Sequence, residues 1–79
     1  MTVMDERAKA MLMLGLLNDA FADTRNMVYY LQDFLMSHPE MIEDIKKFGL
    51  MDVLEEARNL ERKIMDSMDK LKRVLYEQG

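Results

Sequence analysis

Apolar residues recur at intervals of three and four from Ala10 to Leu35, a spacing that constrains the first half of the chain to one long helix. With Ala10 at heptad position a, eleven of the twelve residues at positions a, d and e are apolar. A stripe of this kind is typical of a helix that faces a core. We therefore predict a helix over residues 3–36. Its stripe consists of Ala10, Leu17, Thr24 and Leu31 at a, Met13, Ala20, Met27 and Phe34 at d, and Leu14, Phe21, Val28 and Leu35 at e.

Signals at both ends support this helix. Thr2 followed by Asp5 three residues later forms a capping-box pattern, in which the hydroxyl accepts a free backbone N–H of the first turn. Pro39 disfavours helical geometry at His38 and has no N–H to continue the ladder. The long helix is therefore expected to end near Met36 or Ser37.

A second capping-box pattern follows at once. Ser37 and Glu40 stand three residues apart and precede the apolar residues of a short segment. Gly49 can adopt the left-handed conformation that closes a helix. The sequence therefore predicts a short helix over residues 38–48.

The second half of the chain repeats the pattern of the first. With Leu50 at position a, ten of the twelve residues at positions a, d and e are apolar, which predicts a helix over residues 51–77. Two long helices joined by a short one form an antiparallel hairpin. No linker or internal repeat divides the chain, so residues 1–79 are expected to be a single all-α domain. The d positions of this helix hold Val53, Leu60, Ser67 and Val74.

The size of the chain favours self-association. A protein of 79 residues buries only about 60% of the surface of its unfolded chain, which leaves little margin of stability. The chain contains no cysteine, so disulfides and cysteine-based zinc sites are excluded. Association with a second copy is the remaining common device for stabilising a small domain. We predict a homodimer in which two hairpins form a four-helix bundle.

One segment indicates where an interface lies. Residues 10–17, AMLMLGLL, contain no polar side chain, although one hairpin covers only the inner half of such a segment. Exposed apolar patches mark interaction sites, and small side chains allow two helices to approach closely. We predict that the following residues contact another copy or another protein: Ala8, Met11, Leu12, Gly15 and Leu16.

The distribution of charge indicates which classes of partner the chain is expected to bind. The net charge is -4 and both signs are mixed along the chain, which argues against a general nucleic-acid binder. The alternative is a nucleic-acid-associated factor whose C-terminal helix contacts phosphates through Lys70, Lys72 and Arg73. The longest apolar run has about eight residues, short of the roughly 20 needed to cross a bilayer. We expect a cytoplasmic protein without membrane contact.

The chain contains few residues of the types that most catalytic sites use. His38 is the only histidine, so a histidine pair for a metal cannot form within one chain. A small hydrolase, the less favoured third reading, would depend on His38 or on Glu61, which interrupts the apolar stripe of the last helix. Acidic residues beside His38 are better explained by the dipole of the short helix. No metal or cofactor is expected.

These observations together predict a non-enzymatic interaction or regulatory module. Its working surface would be helical, of mixed charge and rich in methionine, with ten methionines in the chain. Methionine side chains are flexible and polarizable, and they adapt to irregular partners.

Overall fold

The computed structural model describes residues 5–77, which form two long antiparallel helices with a short helical connection. The elements are α1 (Glu6–Ser37), a 3₁₀ turn (Pro39–Met41), α2 (Ile42–Lys47) and α3 (Leu50–Glu77). No strand occurs in this range, and α1 packs along α3. The hairpin measures 58 × 25 × 17 Å. The predicted all-α architecture with α1 packed on α3 is therefore confirmed.

Helix α1 begins later than residue 3. Asp5 has extended backbone geometry, and its carboxylate accepts a 2.7 Å hydrogen bond from the backbone N–H of Ala8, so Asp5 is the N-cap. An aspartate at this position satisfies one of the unpaired N–H groups of the first turn. Thr2, the predicted cap, lies outside the described residues, as do Val3 and Met4.

The connection between the long helices differs from the predicted helix over residues 38–48. Ser37 stays in the last turn of α1, and His38 lies between the helices with no side-chain capping bond. Pro39 then opens a 3₁₀ turn, and α2 follows as six residues. The predicted Ser37–Glu40 capping box is wrong, because Pro39 starts a new turn after α1 has already used Ser37.

Two residues fix the short connection. Gly49 has a φ of 78°, the left-handed conformation that we expected there, and α3 begins directly after it at Leu50. In α2, Ile45 is only 2% exposed, whereas Phe48 at the end of that helix is largely exposed. Ile45 is the buried residue of α2, and α2 contacts α3.

The core of the hairpin consists of two of the three predicted columns. Val28 of α1 packs with Leu54 and Ala57 of α3, and Leu31 and Leu35 pack against them. From Ala10 to Leu35 of α1, and along α3, every residue at position a or e is buried or half-buried; those of α3 are Leu50, Ala57, Ile64 and Leu71 at a, and Leu54, Glu61, Met68 and Leu75 at e. The d columns behave differently, because most of their large side chains are exposed. These are Met13, Met27 and Phe34 on α1, and Val53 and Leu60 on α3.

Candidate interaction surface

The exposed d columns of the two helices lie on one side of the hairpin. Met27 of α1 lines the same groove as Val53 and Leu60 of α3, and this groove has a volume of about 520 Å³. We call this side the apolar face. It consists of Met13, Ala20, Met27 and Phe34 of α1, and of Val53, Leu60, Ser67 and Val74 of α3.

The assignment of the d columns to the hairpin core is corrected by this geometry. Each long helix has one long neighbour, and at 3.6 residues per turn a helix directs only about two columns toward a single neighbour. Positions a and e take those places, so Met27 is 40% exposed and Leu60 is 46% exposed. The apolar stripe is three columns wide, as the sequence indicates. A single neighbouring helix covers only two of these columns and leaves the third exposed.

Charged residues border the apolar face on α3. Glu56 and Lys63 line the edge of the same groove, and both stand at position g, next to the d column. On α1 the corresponding g positions are Lys9, Leu16, Asp23 and Tyr30. An apolar centre with charged residues at its rim is the usual anatomy of a protein–protein interface.

The opposite side of the hairpin is more polar than the apolar face. Arg25, Arg58 and Arg62 line a second groove there, together with Tyr29 and Glu61. The Arg25 Nε donates a 3.0 Å hydrogen bond to the Tyr29 hydroxyl, which raises the pKa of Arg25, and the Glu61 carboxylate raises it further. These contacts hold the side chain of Arg25 over the ring of Tyr29. The groove on this side is therefore mixed in character, with three arginines beside Met65, whereas the groove of the apolar face is mainly apolar.

The predicted N-terminal patch is exposed on the outer side of α1. Met11, Leu12 and Leu16 are 59%, 61% and 67% exposed. Ala8 is half-buried, and apart from the neighbouring residues and the nearby backbone of α1 no atom lies within 4 Å of the position that a Cβ would take on Gly15. Of these residues only Leu16, at position g, borders the apolar face. An interface role for the N-terminal patch stays a prediction.

The basic residues of the last helix do not share one surface. Lys70, Lys72 and Arg73 are all exposed, but successive helical residues turn by about 100°, so Lys72 points away from the other two. Lys72 lines a small groove with Phe21 and Asp69 instead. A contact with phosphates through these three residues stays a prediction that this arrangement does not strengthen.

His38 has a local partner. Its Nδ1 lies 3.1 Å from the carboxylate of Glu40, and its ring is 4.8 Å from that of Phe34. The backbone N–H of Glu40 donates to that carboxylate, and together with His38 it lowers the pKa of Glu40. Glu61 is the other residue on which a hydrolase would depend. It lies in the arginine-lined groove, on the side of the hairpin opposite the apolar face. Within residues 5–77 no cluster of three histidine or acidic side chains is suited to hold a metal ion.

None of the helices in the described part of the chain combines the length and the apolar character that membrane crossing requires.

A protein of Archaeoglobus fulgidus, described as uncharacterized, is 65% identical to this chain over 71 residues. The match covers 90% of this chain and 93% of the relative. No family model matches the sequence. No solved structure matches it either.

Proposed function

The chain belongs to the same family as the Archaeoglobus fulgidus protein, and we propose that it is a small, non-enzymatic protein-interaction module with a regulatory role. In this proposal it works as a homodimer, in which two hairpins pack into a four-helix bundle and present helical surfaces to other proteins.

The apolar face is the observation that carries this proposal. Large side chains of α1 and α3 are exposed along the same side of the hairpin, from Met13 near one end to Phe34 and Val53 near the other. Burial of apolar surface contributes roughly 25 cal/mol per Å² to stability, so a partner that covers this face gains a large driving force. The face extends along most of a hairpin 58 Å long and 25 Å wide. A specific interface needs only about 800 Å² from each partner.

The small core of the single hairpin supports the same proposal. Within residues 5–77 only seven apolar residues are buried, and two of these are alanines. Pairing of two apolar faces would add the d columns to the core. The N-terminal patch, which lies mostly outside this face, would then be available to a further protein.

Solution mass tests the proposal most directly. We would measure it by sedimentation equilibrium on the full chain, on Leu60→Glu in the apolar face, and on Leu12→Glu in the N-terminal patch. Both leucines are substantially exposed on the hairpin, so neither change places a charge in its core. We expect a native dimer, a monomer for Leu60→Glu and a dimer for Leu12→Glu. Far-ultraviolet circular dichroism would show whether each variant keeps its helices.

Two results would contradict the proposal in different ways. A monomeric native chain at all accessible concentrations would exclude the homodimer, and both apolar surfaces would then belong to a different partner. Dissociation by Leu12→Glu without an effect of Leu60→Glu would move self-association from the apolar face to the N-terminal patch.

A further inference from the structure

We infer that the apolar face is occupied by a second copy of this chain in one particular orientation. In that orientation α1 lies against α3 of the partner, and the connecting turns of both copies are at the same end of the bundle. This inference rests on the proposed function and adds to it the mode of pairing, which follows from the charges at the rim of the apolar face.

The first step is to determine which residues of α1 and α3 lie at the same height along the long axis of the hairpin. We call two such residues level with each other. Arg25 of α1 and Glu61 of α3 line the same groove, so these two residues are close to level. The helices are antiparallel, and two residues further toward the N-terminus of α1 and the C-terminus of α3 are Asp23 and Lys63. Asp23 and Lys63 are therefore level with each other.

The same step applies nearer the open end of the hairpin. Two heptads beyond Asp23 and Lys63 are Lys9 and Glu77. The contact of Arg7 with Leu75 confirms that these turns of the two helices are adjacent. All four charged residues stand at position g, at the outer rim of the apolar face.

The second step is to place a copy across the apolar face by a twofold axis parallel to the helices. This operation puts α1 of one chain against α3 of the other and keeps every residue at its level. Asp23 then faces Lys63 of the partner, and Lys9 faces Glu77 of the partner. Each pair occurs twice because the contact is symmetric. These four contacts between charged residues all join opposite charges.

The opposite orientation, with the connecting turns at different ends, brings like charges together at the rim. It places α3 antiparallel to α3 of the partner, and the g positions of this helix read Glu56, Lys63, Lys70 and Glu77. This order is symmetric about its centre. If the contact is centred there, glutamate faces glutamate and lysine faces lysine. If it is centred on Lys63, that residue faces its own copy while Glu56 faces Lys70 of the partner, so this register combines repulsion with attraction. Like charges across an interface disfavour the wrong pairing.

The side chains of the apolar face are also compatible with the proposed orientation. At successive levels α1 and α3 place Met13 with Val74, Ala20 with Ser67, Met27 with Leu60, and Phe34 with Val53. Only the level of Ala20 and Ser67 is small, and it allows the two hairpins to approach closely near the middle of the bundle. The other levels supply apolar side chains from all four helices.

Cysteine cross-linking tests the orientation, because the chain contains no cysteine of its own. We would refold an equimolar mixture of Asp23→Cys and Lys63→Cys chains, add a short bismaleimide, and measure mass under denaturing conditions. We expect a covalent dimer from the mixture and none from either variant alone. The matched control replaces Asp23→Cys by Asp19→Cys, since Asp19 is exposed at position c on the side of α1 remote from α3.

The outcomes separate failure of this inference from failure of the proposed function. Cross-linking of Lys63→Cys with itself would establish contact between the two α3 helices and would overturn the orientation. A dimer by sedimentation that gives no cross-link in the mixture would overturn the proposed rim contacts while leaving self-association intact. A monomeric native chain would overturn the homodimer itself.

Charge reversal gives a second test that loss of folding cannot imitate. Asp23→Lys or Lys63→Asp converts two attractive contacts of the dimer into repulsive ones, and we expect each to weaken dimerisation about tenfold at low salt. The chain that carries both changes restores opposite charges at both contacts, so its affinity should return to the native value. An effect of the double variant equal to the combined effects of the single ones would contradict the pairing.

Discussion

The guanidinium of Arg7 in the first turn of α1 donates a 2.7 Å hydrogen bond to the carbonyl oxygen of Leu75 in the last turns of α3. These residues are 68 positions apart in sequence. The carbonyl groups at the end of a helix have no partners within the helix, and the negative end of the dipole attracts a cation. Arg7 therefore closes the open end of the hairpin and caps α3 with a residue of α1.

Replacing Arg7 by methionine should loosen that end. Methionine has a helix propensity similar to that of arginine and keeps the aliphatic part of the side chain, so the change mainly removes the donor. We expect a loss of about 0.5–1 kcal/mol of unfolding free energy, since the bond is exposed, and faster amide exchange in the last turn of α3. Urea unfolding at fixed chain concentration would measure the first. Arg73→Met is the matched control, and an equal effect there would contradict a specific role for Arg7.

Exchange of each of two glycines for alanine should have opposite effects. Gly49→Ala places a side chain on a residue with a φ of 78° and should cost about 1–2 kcal/mol. Gly15→Ala lies within α1, where the new methyl group meets nothing beyond its own helix within 4 Å, and should stabilise the chain by about 1 kcal/mol. Thermal unfolding of both variants would test this. A loss of stability and of dimer mass in Gly15→Ala would instead indicate close helix contact at the N-terminal patch.

Among the side chains of α2, that of Ile45 should contribute most to the free energy of unfolding. Because it is 2% exposed, Ile45→Ala leaves a cavity, and we expect a loss of about 2–4 kcal/mol. Ile42→Ala in the same helix removes the same atoms from a side chain that is 37% exposed, and it should cost about 1 kcal/mol. Chemical unfolding of the two variants at one chain concentration gives the comparison. Equal losses would mean that burial of Ile45 does not hold the connection.

Acid should act on the carboxyl group of Glu40, whose pKa is lowered first by the hydrogen bond from its own backbone N–H and then by His38. A carboxyl group whose pKa is lowered on folding stabilises the protein above its unfolded pKa, and this contribution is lost as the pH falls through the lower, folded value. In Glu40→Gln the loss of stability below about pH 4.3 should therefore be shallower than in the native chain. Thermal unfolding between pH 7 and pH 3 would measure the difference, with Glu43→Gln as a control in α2. Parallel pH profiles for the native chain and Glu40→Gln would exclude the effect.

The helices could be predicted from sequence because their signals are local. Apolar spacing gave the extent of the hairpin helices to within a few residues, and Gly49 and Pro39 indicated both ends of the connection. The capping residues were harder to predict, since Thr2 and Asp5 are both good N-caps and the choice between them depends on where the first turn forms.

The side on which the apolar face lies could not be predicted from the apolar pattern alone. Positions a, d and e are equally apolar, and which two of the three face the other helix depends on how α1 rotates against α3. That rotation is visible only when Val28 is found against Leu54 and Ala57 while Met27 lies open. The signal available in sequence was the width of the stripe, which exceeds what one neighbouring helix can bury.

The short connection between the long helices also determines the order in which the hairpin closes. Loop-closure entropy rises with the number of residues between contacts, so the turns beside α2 can pair early, whereas Arg7 must meet a residue 68 positions away. The segment AMLMLGLL is close to Arg7 at that distant end. During synthesis from the N-terminus, the most apolar segment of the chain is therefore made early, and the half of it that faces α3 is covered last.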